Sequence, residues 1–195
     1  MGNVGREEWL AAFFRIMQSP EFAKPLREAA ANGRLKVWTE HLTRLVVQSC
    51  GAFGWRATAK GHLAGVLPVA RHEYLALDVV AFPGSQESQW PFPVAVFELE
   101  NSPEDERVSY SLWKVLCVRT LLRVVFAYRR GSAEGTALMG YLASSVVGSL
   151  SIPERKDLSG ETMVIVGSRA ERDTFPYGYF KTWILDTNTG RFIRG

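Results

Sequence analysis

An α/β fold, with a central mixed sheet of about five strands flanked by helices, is the architecture this sequence predicts, and three observations predict it. Between Trp9 and Cys50 apolar residues recur at helical spacing. From Gly54 the period changes, and Gly, Pro and β-branched residues cut the chain into short apolar runs. Beyond residue 102 helical stretches alternate with such runs, as in sheets covered by helices on both faces.

The elements follow in order. Trp9, Leu10, Phe13, Phe14, Ile16 and Met17 form an apolar stripe that Ser19 and Pro20 close, which predicts an amphipathic helix. A second short helix is expected over 21–31, ending at Asn32 and Gly33, and a longer one over 34–50 with Gly51 as its stop. Glu40 lies in that third helix with Arg44 four residues on, so it is either half of a surface ion pair or an acid free for other work. Residues 55–60 and 61–69 read as edge-like strands and 73–82 as a buried strand carrying one charge, Asp78. An isolated carboxylate there is costly unless a base or a metal neutralises it. A polar turn over 83–91 is short enough to make the next strand its antiparallel neighbour.

That next strand, within 92–102, has the continuous apolar run Val94, Ala95, Val96 and Phe97, followed by Glu98 and Glu100. Strand side chains alternate, so these two carboxylates share a face about 7 Å apart. Like charges raise each other's pKa unless a cation or basic side chain intervenes. Ser102, Pro103 and Asp105 then announce a helix as N-cap, first-turn proline and first-turn acid, and Lys114 lies within it. Residues 121–128 read as a strand, 135–150 as a helix, 162–166 as a strand, and 179–193 as a closing hairpin turning through 186–190.

With 195 residues the chain can bury a real core and is most simply one domain: a core of about 34–128, an N-terminal helical extension over 1–33 and a C-terminal elaboration over 129–195. A net charge of +3 suits a polyanionic partner without requiring one. Cys50 and Cys117 sit in apolar, helix-like contexts without metal-ligand spacing, so buried reduced thiols and a cytoplasmic setting are expected. No apolar run reaches the ~18 residues of a membrane span, and Arg6, Glu7 and Glu8 stand where a signal peptide would be basic and then apolar. The expectation is a soluble protein with no membrane partner. His41, His62 and His72 lack ligand spacing, and no glycine-rich phosphate loop appears. Arg129 with Arg130, and Arg169 with Arg172, are candidate phosphate contacts.

The order helix, three-strand meander, helix, strand, with acids at Glu40, Asp78, Glu98 and Glu100, resembles the PD-(D/E)xK, or restriction-endonuclease-like, nuclease superfamily over roughly 34–128. That resemblance implies a restriction-endonuclease-like core, with Asp78 as the acid of the second core strand, Glu98 as the first residue of the Glu-x-Lys on the third, and Glu40 as the helix acid. Where the family has lysine this chain has Glu100, and Lys114 on the following helix matches the displaced position found in some members. The resemblance implies Mg²⁺, or Mn²⁺, held by Asp78, Glu98 and the backbone carbonyl of Leu99, with Lys114 orienting water, Glu100 and Glu40 assisting, and DNA phosphodiester hydrolysis as the activity. If no lysine reaches the site, the implied alternative is a catalytically inactive module on the same fold that binds nucleic acid, a protein partner or a second copy of itself.

Overall fold

The computed structural model describes residues 5–85 and 88–195; residues 1–4 of the N-terminal extension, and Gln86 and Glu87 of the polar turn, lie outside them. Three helices come first: α1 (Arg6–Met17), α2 (Pro20–Ala31) and α3 (Leu35–Gly51). Glu8 accepts a hydrogen bond from the Gly5 N–H at 3.0 Å, which satisfies a free donor where α1 begins. Pro20 opens α2, a position where its missing N–H costs nothing.

The sheet has seven strands in sequence order: β1 (Arg56–Ala59), β2 (Val79–Phe82), β3 (Ala95–Leu99), β4 (Leu122–Arg129), β5 (Glu161–Ser168), β6 (Phe180–Asp186) and β7 (Arg191–Arg194). β1, β2 and β3 form an antiparallel meander, β3, β4 and β5 are parallel, and β6 and β7 return antiparallel. The parallel joins need crossovers. α4 (Asp105–Leu116) supplies the first, and α5 (Ser132–Ser145) with the short α6 (Ile152–Asp157) the second.

Alternation along the strands sorts the core into two layers. Phe97, Val124, Phe126 and Ile165 face α1 to α3, where Trp9 packs on Phe97 at 5.1 Å and Phe13 on Phe126 at 5.5 Å between ring centroids. Val96, Val125, Ala127 and Val164 face α4 and α5. Each large side chain buried in this way contributes about 1.5–3 kcal/mol.

The structure corrects several expectations. The sheet has seven strands, not about five, because the closing hairpin joins it through β5. Residues 61–69 form no strand: Gly61 and Gly65 take left-handed backbone (φ 83° and 55°), which breaks a ladder, and His62 alone bridges back to Ala59. The second core strand covers only Val79–Phe82, since Leu75 and Ala76 are also left-handed (φ 58° and 54°). For residues with a Cβ that conformation costs about 1–2 kcal/mol each. α4 starts at Asp105 with Glu104 as N-cap, and the Ser102 hydroxyl accepts the Glu104 N–H at 3.1 Å instead of capping the helix. α5 starts three residues earlier than 135 and stops before 150, where a 3-10 turn (Val147–Ser149) follows. Cys50 is buried, but Cys117 is exposed because it caps the end of α4, off its buried stripe. No helix among the described residues is long and apolar enough to cross a membrane.

Candidate active site

The junction of β2, β3 and α4 collects the acids. Extending the β2–β3 register one pair beyond Val79 and Phe97 sets Asp78 opposite Glu98. Such cross-strand neighbours share a face with Cβ atoms about 5 Å apart. By alternation from Val80 and Val96 this is the face that α4 covers.

Glu98 is buried, and both its oxygens are engaged. The Lys114 ammonium donates to Oε1 at 2.7 Å and the Ser111 hydroxyl to Oε2 at 3.0 Å. Ser111 and Lys114 lie three residues apart on α4 and so point the same way. Lys114 also donates to the Ala76 carbonyl at 3.0 Å, tying the left-handed turn to the helix. Asp78 Oδ2 accepts the Leu99 N–H at 2.7 Å, while Oδ1 has no hydrogen-bond partner among the described residues.

Burial pushes the Asp78 carboxyl above its ordinary value; the Leu99 N–H and Lys114 pull it back, and Glu73 and Glu100 push it further up. Burial likewise raises Glu98, with Lys114 and Ser111 opposing and the charge of Asp78 reinforcing. Two carboxylates with raised values, sharing one lysine, mark a place where negative charge is held at a cost.

The other expected residues are placed unevenly. Glu100 lies just past the strand and turns its Oε1 to the Ser102 N–H at 2.7 Å, close enough for its charge to reach Asp78. Glu40 makes no ion pair with Arg44, which binds Glu21 at 2.6 Å instead. It lines, with Asp78, Glu73, Lys60 and His62, a cavity of about 430 Å³ between α3 and the strand ends. Burial and the charge of Arg44 hold His62 below its ordinary value, so a neutral imidazole faces this cavity at pH 7. Leu99 meets Asp78 through its N–H, not its carbonyl. Arg129 is no phosphate contact: it is buried and pairs with Asp105 at 2.5 Å.

Three members of the cluster escaped sequence reasoning. Ser111 was legible in principle from its helical spacing to Lys114. Glu73 stood in a stretch read as strand, and the Ala76 carbonyl is aimed by a backbone conformation that alanine rarely adopts.

The donor set sets the terms for a metal. Among the described residues no three His, Cys, Asp or Glu side chains stand together as a metal cage. Mg²⁺ needs only one or two carboxylates plus substrate phosphate and water. Asp78, with a free oxygen, and Glu98 fit that smaller requirement once Glu98 shares its oxygen with an ion beside Lys114. Neither protein-family models nor curated proteins nor solved structures show a match to this chain.

Proposed function

We propose that this protein is a metal-dependent phosphodiesterase acting on DNA, built like the PD-(D/E)xK nucleases. The observation that carries the reading is Lys114, which comes from α4 to bind Glu98 beside Asp78, where a strand lysine would otherwise stand. Asp78 and Glu98 would hold Mg²⁺ or Mn²⁺, with the carbonyl of Leu99 as a further oxygen. When bound, the cation supplies charge neutralisation at the phosphate and makes water more acidic.

The chain's own residues do the rest. With a cation held by Glu98, Lys114 would be free to direct its ammonium to the attacking water or to charge growing on the phosphate. Ser111 keeps Glu98 oriented through that exchange, and the Leu99 N–H keeps Asp78 turned to the same spot. Glu100 and Glu40 hold water at the rim.

The test is cleavage of plasmid and oligonucleotide DNA with Mg²⁺ or Mn²⁺. Asp78→Asn keeps an acceptor for the Leu99 N–H but removes a charge, and is expected to lower the rate roughly 100-fold or more. DNA binding without metal is expected to hold or rise, since one charge facing the phosphates is gone. Activity that survives while the melting temperature falls sharply makes Asp78 a structural acid and overturns the reading.

A second reading has its own observation. Both Glu98 oxygens are already satisfied by Lys114 and Ser111, the arrangement of a site closed by a lysine instead of a metal. On that reading the fold is a non-catalytic module binding nucleic acid or a protein partner, and no divalent ion produces cleavage.

A further inference from the structure

Beside Lys114 lies a groove of about 560 Å³ that the catalytic reading does not use. Its walls include Leu75, Phe92, Tyr110, Trp113 and Arg119, and Lys114 lines it as well. The aromatic rings are not folded away: Phe92, Tyr110 and Trp113 are 66%, 58% and 53% exposed. Tyr110 and Trp113 lie nearly parallel, 5.9 Å between centroids and 19° between planes. The cations sit on the rings, Lys114 at 5.3 Å from the Tyr110 centroid and Arg119 at 5.1 Å from that of Phe92. Arg119 has no carboxylate partner among the described residues, and no acid lines the groove.

We propose that this groove binds single-stranded DNA, stacking unpaired bases on Tyr110, Trp113 and Phe92 while Arg119 meets the backbone phosphate. The inference rests on the phosphodiesterase reading and gives it a substrate class. Aromatic faces beside Arg119, a cation without a carboxylate partner among the described residues, match a nucleotide's own two halves, a π-face and a charge. A duplex presents few such faces, because its bases cover one another. An apolar partner helix would use the rings and leave Arg119 unmatched, whereas Lys114 already pairs with Glu98. Lys114 belongs to groove and site alike, so a strand lying along the groove has its phosphate delivered to Glu98 and Asp78.

The experiment is fluorescence anisotropy of labelled oligothymidylate, of a duplex of equal length and of oligouridylate, with the full chain in EDTA. Oligothymidylate is expected to bind most tightly. Trp113→Ala and Tyr110→Ala are each expected to weaken it by about 5- to 150-fold, and Arg119→Gln to reduce the salt slope by about 0.7. These side chains are exposed, so melting temperature should not move. Unchanged oligothymidylate binding in Trp113→Ala overturns the proposal. So does preference for duplex or oligouridylate, or a Trp113→Ala chain that loses only self-association by sedimentation. Binding is read without metal, which separates the two readings. A chain that binds through Trp113 but cuts nothing refutes the phosphodiesterase alone, whereas one that cuts single strands equally well after Trp113→Ala refutes the groove alone.

Discussion

Lys114 is the residue on which the proposed chemistry turns. Its ammonium satisfies a buried carboxylate and a backbone carbonyl, so its loss leaves Glu98 facing only Ser111 and Asp78. Lys114→Ala is expected to slow single-turnover cleavage far more than it weakens oligonucleotide affinity, because a group acting on the attacking water contributes only in the transition state. Equal losses in rate and affinity would make it a phosphate contact instead. A second prediction concerns protons. Asp78 and Glu98 have carboxyls raised above their ordinary values of 3.8 and 4.5, so each binds a proton more tightly in the folded chain. In metal-free buffer they therefore add stability as pH falls from neutral through the raised values, and the gain is complete below the ordinary ones. Glu154 and Asp186, held low by hydrogen bonds from Ser151 and Thr189, act in the opposite direction. The clean measurement is the difference from Asp78→Asn, which should be more stable than the parent at neutral pH and lose that advantage on acidification. Much of this cluster was legible, since charges in apolar strands demand partners and a helix starting just past Glu100 has few places to put a lysine. The grip of Ala76 was not, because no residue pattern marks two adjacent left-handed residues that are not glycine.

At the scale of elements, α4 is held by β4 at both ends. Arg129 pairs with Asp105 in the helix's first turn, and Arg123 donates to the carbonyls of Val115 and Val118 at its end and of Ser159 beyond. Both arginines point to the α4 face, six residues or about 20 Å apart along the strand, against a helix about 18 Å long. The signs also suit the helix dipole, an acid at its start and a cation at its end. Burial lowers the Arg123 guanidinium to about 10, still charged at neutral pH. Arg123→Met would leave three carbonyls short of a donor, and is expected to cost at least about 2 kcal/mol, or roughly 4–8 °C in Tm by calorimetry. An unchanged Tm would mean that water replaces the guanidinium. The sequence offered the same signal here as at Asp78, a charge inside an apolar strand, yet its partners are backbone groups that carry no side-chain signature. In the same way, S-I-P-E over 151–154 spells the capping box of α6, and the helix was missed only because it is short and has no buried face.

Across the whole molecule, what the sequence made plain is the alternation of covered strands and amphipathic helices, because burial on both faces writes itself into continuous apolar runs such as those of β3 and β4. The strand count was less plain, since the closing hairpin could be read but not its joining the sheet through β5; β7 itself is exposed, with Arg191 and Arg194 blunting the sheet edge. The consequence of the order β2, β3, α4 concerns time. Asp78, Glu98 and Lys114 come from successive elements, so the loops that must close to join them are short, and short closures are reached early on a folding pathway. Refolding followed by pulse-labelled hydrogen exchange is therefore expected to protect the amides of β2, β3 and α4 before those of β6 and β7, and the reverse order would refute this. A chain still waiting for its N-terminal helices to dock would then already have the lysine beside its carboxylates, and the cost of gathering those charges would be met first, while the nucleus forms, with the aromatic layer of α1 to α3 closing over the other face afterwards.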